Sequence, residues 1–102
     1  MKTKINGKIY DTDAAQPLTI YSNNQLYGST IRFTEILYIK PDGEYFLHGS
    51  GGAMTQYAKR YKSRSNASGE AIIPMTVDQA KAWVKRWCAR LVYQEIFGED
   101  AE

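Results

Sequence analysis

Alternating apolar residues on both sides of a short turn predict a β-hairpin in the middle of the chain. Residues 36–40 and 44–48 are rich in β-branched and aromatic side chains, and Pro41-Asp42-Gly43 between them has the composition of a tight turn. Placing Lys40 opposite Glu44 gives one wholly apolar face, expected in the core: Leu37, Ile39, Tyr45 and Leu47. The other face carries Tyr38, Phe46 and His48. It is expected to be either half covered by the rest of the chain or a contact surface.

A repeat of 3.6 residues predicts one long amphipathic helix over residues 76–97. Thr76 and Gln79 have the spacing of a capping box, and Gly98 suits the position after the last turn. The apolar stripe consists of Ala80, Trp83, Val84, Trp87, Cys88, Leu91 and Val92. The opposite side carries Lys81, Lys85, Arg86 and Arg90. We expect this helix to pack across one face of the sheet.

The rest of the chain completes a single α+β domain over residues 1–102. Short strands are expected at residues 8–10, 18–21 and 70–73, the last ended by Pro74. The sheet is therefore expected to be antiparallel, with four or five strands. The polar residues 63–69 are expected to form a mobile loop, and residues 99–102 an acidic tail. The predicted core comprises Leu37, Ile39, Tyr45, Leu47, Ile72, Trp83, Val84, Trp87 and Leu91.

The charge is modest overall but unevenly distributed. The net charge is +2, yet residues 45–69 contain no acid and four cations: Lys59, Arg60, Lys62 and Arg64. The eight tyrosines are typical either of a partner-binding surface or of cross-strand pairing in a small sheet. The single cysteine, Cys88, excludes an intrachain disulfide. The first residues lack the apolar run of a signal peptide, and no apolar stretch has the length of a membrane span, so we expect a cytoplasmic protein.

None of the residues that usually carry catalysis forms a recognisable arrangement. The glycines between Gly49 and Gly52 lack both the lysine of a phosphate-binding loop and the third glycine of a dinucleotide fingerprint. We therefore expect them to turn a corner at unusual φ angles. His48 is the only histidine, and with Cys88 it cannot complete a usual zinc site. We expect no catalytic residue, no metal, no cofactor and no enzymatic activity.

The strongest candidate for function is the interval that combines aromatic and cationic residues. The predicted partner-binding residues are Tyr57, Lys59, Arg60, Tyr61, Lys62 and Arg64, together with Lys81, Lys85 and Arg86 of the helix. Such a surface suits an anionic partner, or direct stacking of nucleic-acid bases along a charged groove. The alternative is a solvated edge without a ligand.

Four segments carry a resemblance: KINGKIYDTD (4–13), DGEYFLHGSGGAMTQYA (42–58), IIPMTVDQAKAW (72–83) and EIFG (95–98). They resemble small accessory proteins carried by phages, plasmids and conjugative elements of gut bacteria, mostly Gram-positive. The resemblance implies a protein that acts inside a bacterial host by binding host machinery, as anti-CRISPR proteins do when they block a guide-bound nuclease. The expected partner is thus a host protein or ribonucleoprotein complex, with a small nucleic-acid-binding protein as the alternative.

Overall fold

The computed structural model describes residues 1–26, 29–60 and 66–98, with only the backbone of Arg60. Eight strands precede two helices: β1 Lys2–Ile5, β2 Lys8–Asp11, β3 Gln16–Ser22, β4 Phe33–Ile39, β5 Tyr45–Gly51, β6 Lys59–Arg60, β7 Asn66–Ala67, β8 Gly69–Met75, α1 Val77–Trp87 and α2 Arg90–Phe97. The α+β class is confirmed. The predicted acidic tail lies outside the described residues, as do residues 63–65 of the predicted mobile loop. Residues 66 and 67 of that loop form β7, and Gly69 begins β8.

The central hairpin has the predicted register. Leu37 pairs with Leu47 across β4 and β5, and Tyr38 pairs with Phe46. At the turn, Gly43 has a φ of 91° and its N–H donates to the Lys40 carbonyl at 2.9 Å. Glycine is needed there because a Cβ disfavours this left-handed conformation. The turn therefore fixes which side chains of the two strands share a face.

The main sheet is antiparallel and has four strands in the order β3-β4-β5-β8. The prediction that Pro74 ends the last strand is wrong, because β8 continues through Pro74 to Met75. β8 is an edge strand, and an edge strand accepts proline where the missing N–H would point away from the sheet. Two further hairpins, β1–β2 and β6–β7, lie outside this sheet.

One face of the sheet is covered by the two helices, and the other is covered in part by the β1–β2 hairpin. On one face, which we call the helix face, Leu37 and Leu47 pack against Trp83 and Val84 of α1 and Tyr93 of α2. The opposite face is half covered by the β1–β2 hairpin, in agreement with one of the two expected alternatives. Here Tyr10 packs edge-to-face on Phe46, with 5.5 Å between the ring centroids. Ile72 belongs to this second cluster and not to the core under the helix.

The prediction of one long helix is wrong. The backbone is extended at Cys88 and Ala89, so the chain forms two short helices joined by a sharp turn. In a continuous helix of 3.6 residues per turn, Tyr93 would lie about 180° around the axis from Val84 and would point away from the Trp83–Val84 stripe. The break brings Tyr93 into the core at 2% exposure and leaves Leu91, a predicted core residue, 72% exposed.

Candidate partner-binding site

The structure separates the predicted site residues into different environments. Tyr57, expected on the contact surface, is 5% exposed and is therefore part of the interior. Lys59 is exposed and lies in β6 beside the Arg60 backbone. Tyr61, Lys62 and Arg64 lie outside the described residues. Tyr57 thus anchors the loop that leads into β6, where Lys59 lies.

Tyr57 is held in place by a buried carboxylate, Glu35, which was not among the residues predicted from the sequence. Glu35, on the helix face of β4, accepts a short hydrogen bond from the Tyr57 hydroxyl at Oε2 and one from the Trp83 indole N–H at Oε1, at 2.9 Å. Gln56 Nε2 lies 3.4 Å from the same Oε2. These bonds join a strand, a loop and a helix. Burial raises the pKa of Tyr57, and its hydrogen bond to Glu35 raises it further, so the phenol remains a donor.

Two of the glycines allow other parts of the chain to approach closely. A Cβ at Gly49 would collide with the Tyr57 ring, and one at Gly52 would collide with the backbone of Thr30. Gly49 and Gly51 lie within β5 and have no positive φ. The expectation of unusual φ angles is therefore wrong: these positions need glycine for close approach, not for backbone conformation.

An apolar surface lies at the end of the sheet that holds the glycines. We call it the loop end and define it as residues 23–26, 29–32 and 52–54. Leu26 is 84% and Met54 74% exposed, and Ile31 is exposed as well. The Met54 N–H donates to the Thr30 carbonyl at 2.9 Å, which holds the two loops together. Between them lies a groove of about 480 Å³, lined by Ser29, Thr30, Arg32, Phe33, Thr34, Ser50, Gly51, Gly52, Ala53, Ser68 and Gly69.

The β6–β7 hairpin adjoins this loop end. Asn66 of β7 donates from Nδ2 to the Ala53 carbonyl at 3.3 Å, and β7 pairs with Lys59–Arg60 of β6. The hairpin that carries Lys59 is therefore attached to the loop end at Ala53.

The three predicted cations of α1 lie over aromatic rings. Lys81 and Lys85 approach the rings of Phe97 and Tyr93 on α2, at 5.9 and 5.2 Å from the centroids. These two pairs run in opposite directions along the helices, as expected for an antiparallel helix pair. Within the described part of the chain, neither lysine forms a salt bridge.

A row of rings links Arg86 to a residue that lines the groove. Its guanidinium is 4.7 Å from the Trp87 centroid, Trp87 packs on Tyr21 at 4.4 Å, and Tyr21 packs on Phe33 at 5.9 Å. Phe33 lines the groove. Arg86 is thus connected to the loop end, whereas Lys81 and Lys85 are directed towards α2.

A second group of charged residues lies at the opposite end of the sheet, beside the β4–β5 turn. Glu44 pairs with Lys8 at 3.0 Å and with Lys40 at 3.4 Å. Hydrogen bonds from Tyr10 and Lys8 lower the pKa of Glu44 to about 2, and those from Lys40 act in the same direction. Burial raises the pKa of Tyr10 to about 12, with a further contribution from Glu44. This cluster ties the β1–β2 hairpin to the sheet.

The remaining candidate chemistry is sparse. His48 Nε2 lies 2.9 Å from Glu70 Oε1 across the β5–β8 pair. Among residues 1–26, 29–60 and 66–98, no group of three His, Cys, Asp or Glu side chains could hold a metal ion. Neither of the two described helices is long and apolar enough to cross a membrane.

Comparison with known proteins adds no further constraint. No family model matches the chain, and no curated protein or solved structure matches it. Its function is therefore inferred from the surfaces described above and from the segments that carry the resemblance.

Proposed function

We propose that this chain is a non-enzymatic binding protein of a mobile genetic element that inhibits a host defence complex in the bacterial cytoplasm. The specific form we propose is an anti-CRISPR protein that binds a guide-loaded nuclease and blocks its access to DNA. The loop end is the contact surface, and the basic segment, residues 59–64, contributes its cations to the contact. Tyr57 and Glu35 fix the start of this segment to the domain.

The exposure of Leu26, Ile31 and Met54, in the two loops whose neighbouring residues line one groove, is the observation that carries the proposal. Large apolar side chains grouped on a surface are typical of protein–protein interaction sites. Lys59 is an exposed cation on the β6–β7 hairpin that contacts the loop end, which suits a ribonucleoprotein whose guide presents phosphates. A binding role requires no catalytic group.

The candidate acid–base groups also support a binding role. Both oxygens of Glu35 accept hydrogen bonds inside the domain, and His48 is paired with Glu70 outside the groove. A general base must reach the proton that it abstracts. Neither group lies in the groove with an oxygen or nitrogen left for a substrate.

The test is inhibition of DNA cleavage by a purified CRISPR nuclease loaded with guide RNA. The wild-type chain is expected to inhibit cleavage, and Met54→Glu is expected to weaken inhibition by tenfold or more, about 1.4 kcal/mol, because a charge would be buried in the contact. Leu91→Glu is the matched control, since Leu91 on α2 is 72% exposed and Met54 74%. Equal inhibition by the two variants would place the contact elsewhere.

Direct nucleic-acid binding is the second candidate, favoured by Arg86 stacked over Trp87. It predicts retardation of free guide RNA or duplex DNA by the chain alone in a gel. Binding to free nucleic acid as tight as to the loaded nuclease would favour this candidate. Binding that requires the nuclease protein would favour the first.

A further inference from the structure

The outer edge of β8 presents backbone groups that no described residue pairs. The Lys40 N–H donates to the Glu44 carbonyl at 2.8 Å, and the Gly52 N–H donates to the Arg32 carbonyl at 2.9 Å. Hydrogen-bonded pairs alternate along an antiparallel ladder, so the even-numbered residues of β5 bond to β4. The odd-numbered residues of β5 therefore bond to β8.

This alternation decides which groups of β8 point outwards. Its odd-numbered residues face β5, so the N–H groups of Glu70 and Ile72 point away from the sheet, in its plane. Among the described residues, neither N–H has a hydrogen-bond partner. Pro74 is also even-numbered, so the N–H that it lacks would point away from the sheet. This explains why β8 tolerates a proline there.

The two edges of the sheet differ in how they are protected. On β3, Pro17 and a bulge between Pro17 and Thr19 interrupt the edge. β8 keeps a regular register over seven residues, carries one charged side chain, Glu70, and leaves Ile73 40% exposed. Bulges, prolines and charges are the devices that prevent edge strands from pairing, and β8 has few of them.

We propose that β8 pairs antiparallel with β8 of a second copy of this chain, about a two-fold axis at Ala71. Glu70 then lies opposite Ile72 of the other copy, and the outward N–H and C=O groups of these residues form four hydrogen bonds across the axis. Ile73 lies opposite Gly69 of the other copy, against which the Tyr57 and Lys59 backbone of that copy packs. No like charges lie directly opposite each other, and each Glu70 keeps His48 at 2.9 Å within its own copy.

The pairing produces one continuous sheet of eight strands. Because the axis is perpendicular to the sheet, the helices of both copies lie on the same side, and both loop ends belong to one assembly. A strand edge buries less than the roughly 1,600 Å² of a standard interface, so we expect a dimer that forms as the concentration rises. The inference does not depend on the proposed function.

Sedimentation velocity from about 1 µM to about 1 mM protein tests the pairing. The wild-type mass is expected to rise from 11.6 kDa to twice that value. Ile73→Lys and Glu70→Pro are expected to remain monomeric over the same range. Ile20→Lys, at an aliphatic residue 60% exposed on the other edge strand, is the matched control and is expected to dimerise like the wild type.

Amide hydrogen exchange of the wild type tests the same edge without a substitution. Exchange of the Glu70 and Ile72 amides is expected to slow at least tenfold between the dilute and the concentrated sample. The Ile20 amide of β3 should show no such change. The proposal would be overturned if the wild type remained monomeric or if the dimer survived both β8 substitutions. It would also be overturned if Ile20→Lys failed to dimerise.

Discussion

Glu35 is the residue on which the arrangement beside the candidate site depends. Its carboxylate accepts hydrogen bonds from Tyr57 on the loop and Trp83 on α1, with Gln56 at a longer distance. A buried acceptor that loses a donor retains its desolvation cost, which makes such a group costly to leave unpaired. The position of Tyr57, and of the start of β6 after it, therefore depends on one side chain of the sheet.

Tyr57→Phe is expected to destabilise the domain by about 1–3 kcal/mol, because it removes the hydroxyl donor and leaves Glu35 Oε2 with Gln56 alone. Urea unfolding measures the change. Tyr38→Phe is the matched control: Tyr38 is half-buried, and among the described residues its hydroxyl forms no hydrogen bond. Equal losses of stability in the two variants would mean that the Tyr57–Glu35 bond contributes no net stability.

The sequence contained part of this information. Residue 35 lies in phase with Leu37 and Ile39, so strand alternation alone directs Glu35 to the helix face. Its donors were not predictable, because Tyr57 lies 22 and Trp83 48 residues further along the chain. Only the folded arrangement brings these groups together. The same holds for Gly49, whose role depends on where the Tyr57 ring packs.

At the scale of elements, local patterns predicted the β4–β5 hairpin well and the C-terminal helix poorly. Turn chemistry and alternation specify a hairpin within a few residues, whereas no glycine or proline marks the break at Cys88 and Ala89. A sign of the break is the change of phase, since Tyr93, Ile96 and Phe97 form a second stripe offset from the first. Packing of this second stripe, not propensity, ends α1.

Leu91 and Tyr93 test the two-helix arrangement against a single helix. Tyr93→Ala is expected to cost about 3–5 kcal/mol, because its ring is buried among the core residues of the helix face. Leu91→Ala is expected to change the free energy of unfolding by no more than about 0.5 kcal/mol, because Leu91 is exposed. Denaturant unfolding of both variants distinguishes the two arrangements, since a continuous helix predicts the reverse order.

The β1–β2 hairpin is attached to the sheet in part through Glu44. The pKa of Glu44 is lowered from 4.5 to about 2 in the folded state, chiefly by hydrogen bonds from Tyr10 and Lys8. The associated stability is present above pH 4.5 and is lost as the pH falls towards 2. Glu44→Gln should therefore lose less stability than the wild type over this interval. Parallel curves of unfolding free energy against pH for the two proteins would contradict the assignment.

At the scale of the whole molecule, the cations form two groups with different surroundings. Lys81 and Lys85 lie along the contact between α1 and α2, where each approaches a ring of α2. In the second group, Lys59 lies on the β6–β7 hairpin, which adjoins the loop end. An anionic partner bound at the loop end would therefore meet the second group first.

Charge reversal distinguishes these two groups. We expect affinity for the guide-loaded nuclease to fall at least tenfold, and its salt dependence to flatten, when Lys59→Glu, Arg60→Glu and Lys62→Glu are combined. Removing one ion pair between a cation and a duplex phosphate lowers the logarithmic salt slope by about 0.9. Lys81→Glu with Lys85→Glu is the control and should keep the wild-type affinity and slope. Affinity measured at two salt concentrations tests this prediction. A triple variant that binds and inhibits like the wild type would exclude the basic segment from the contact.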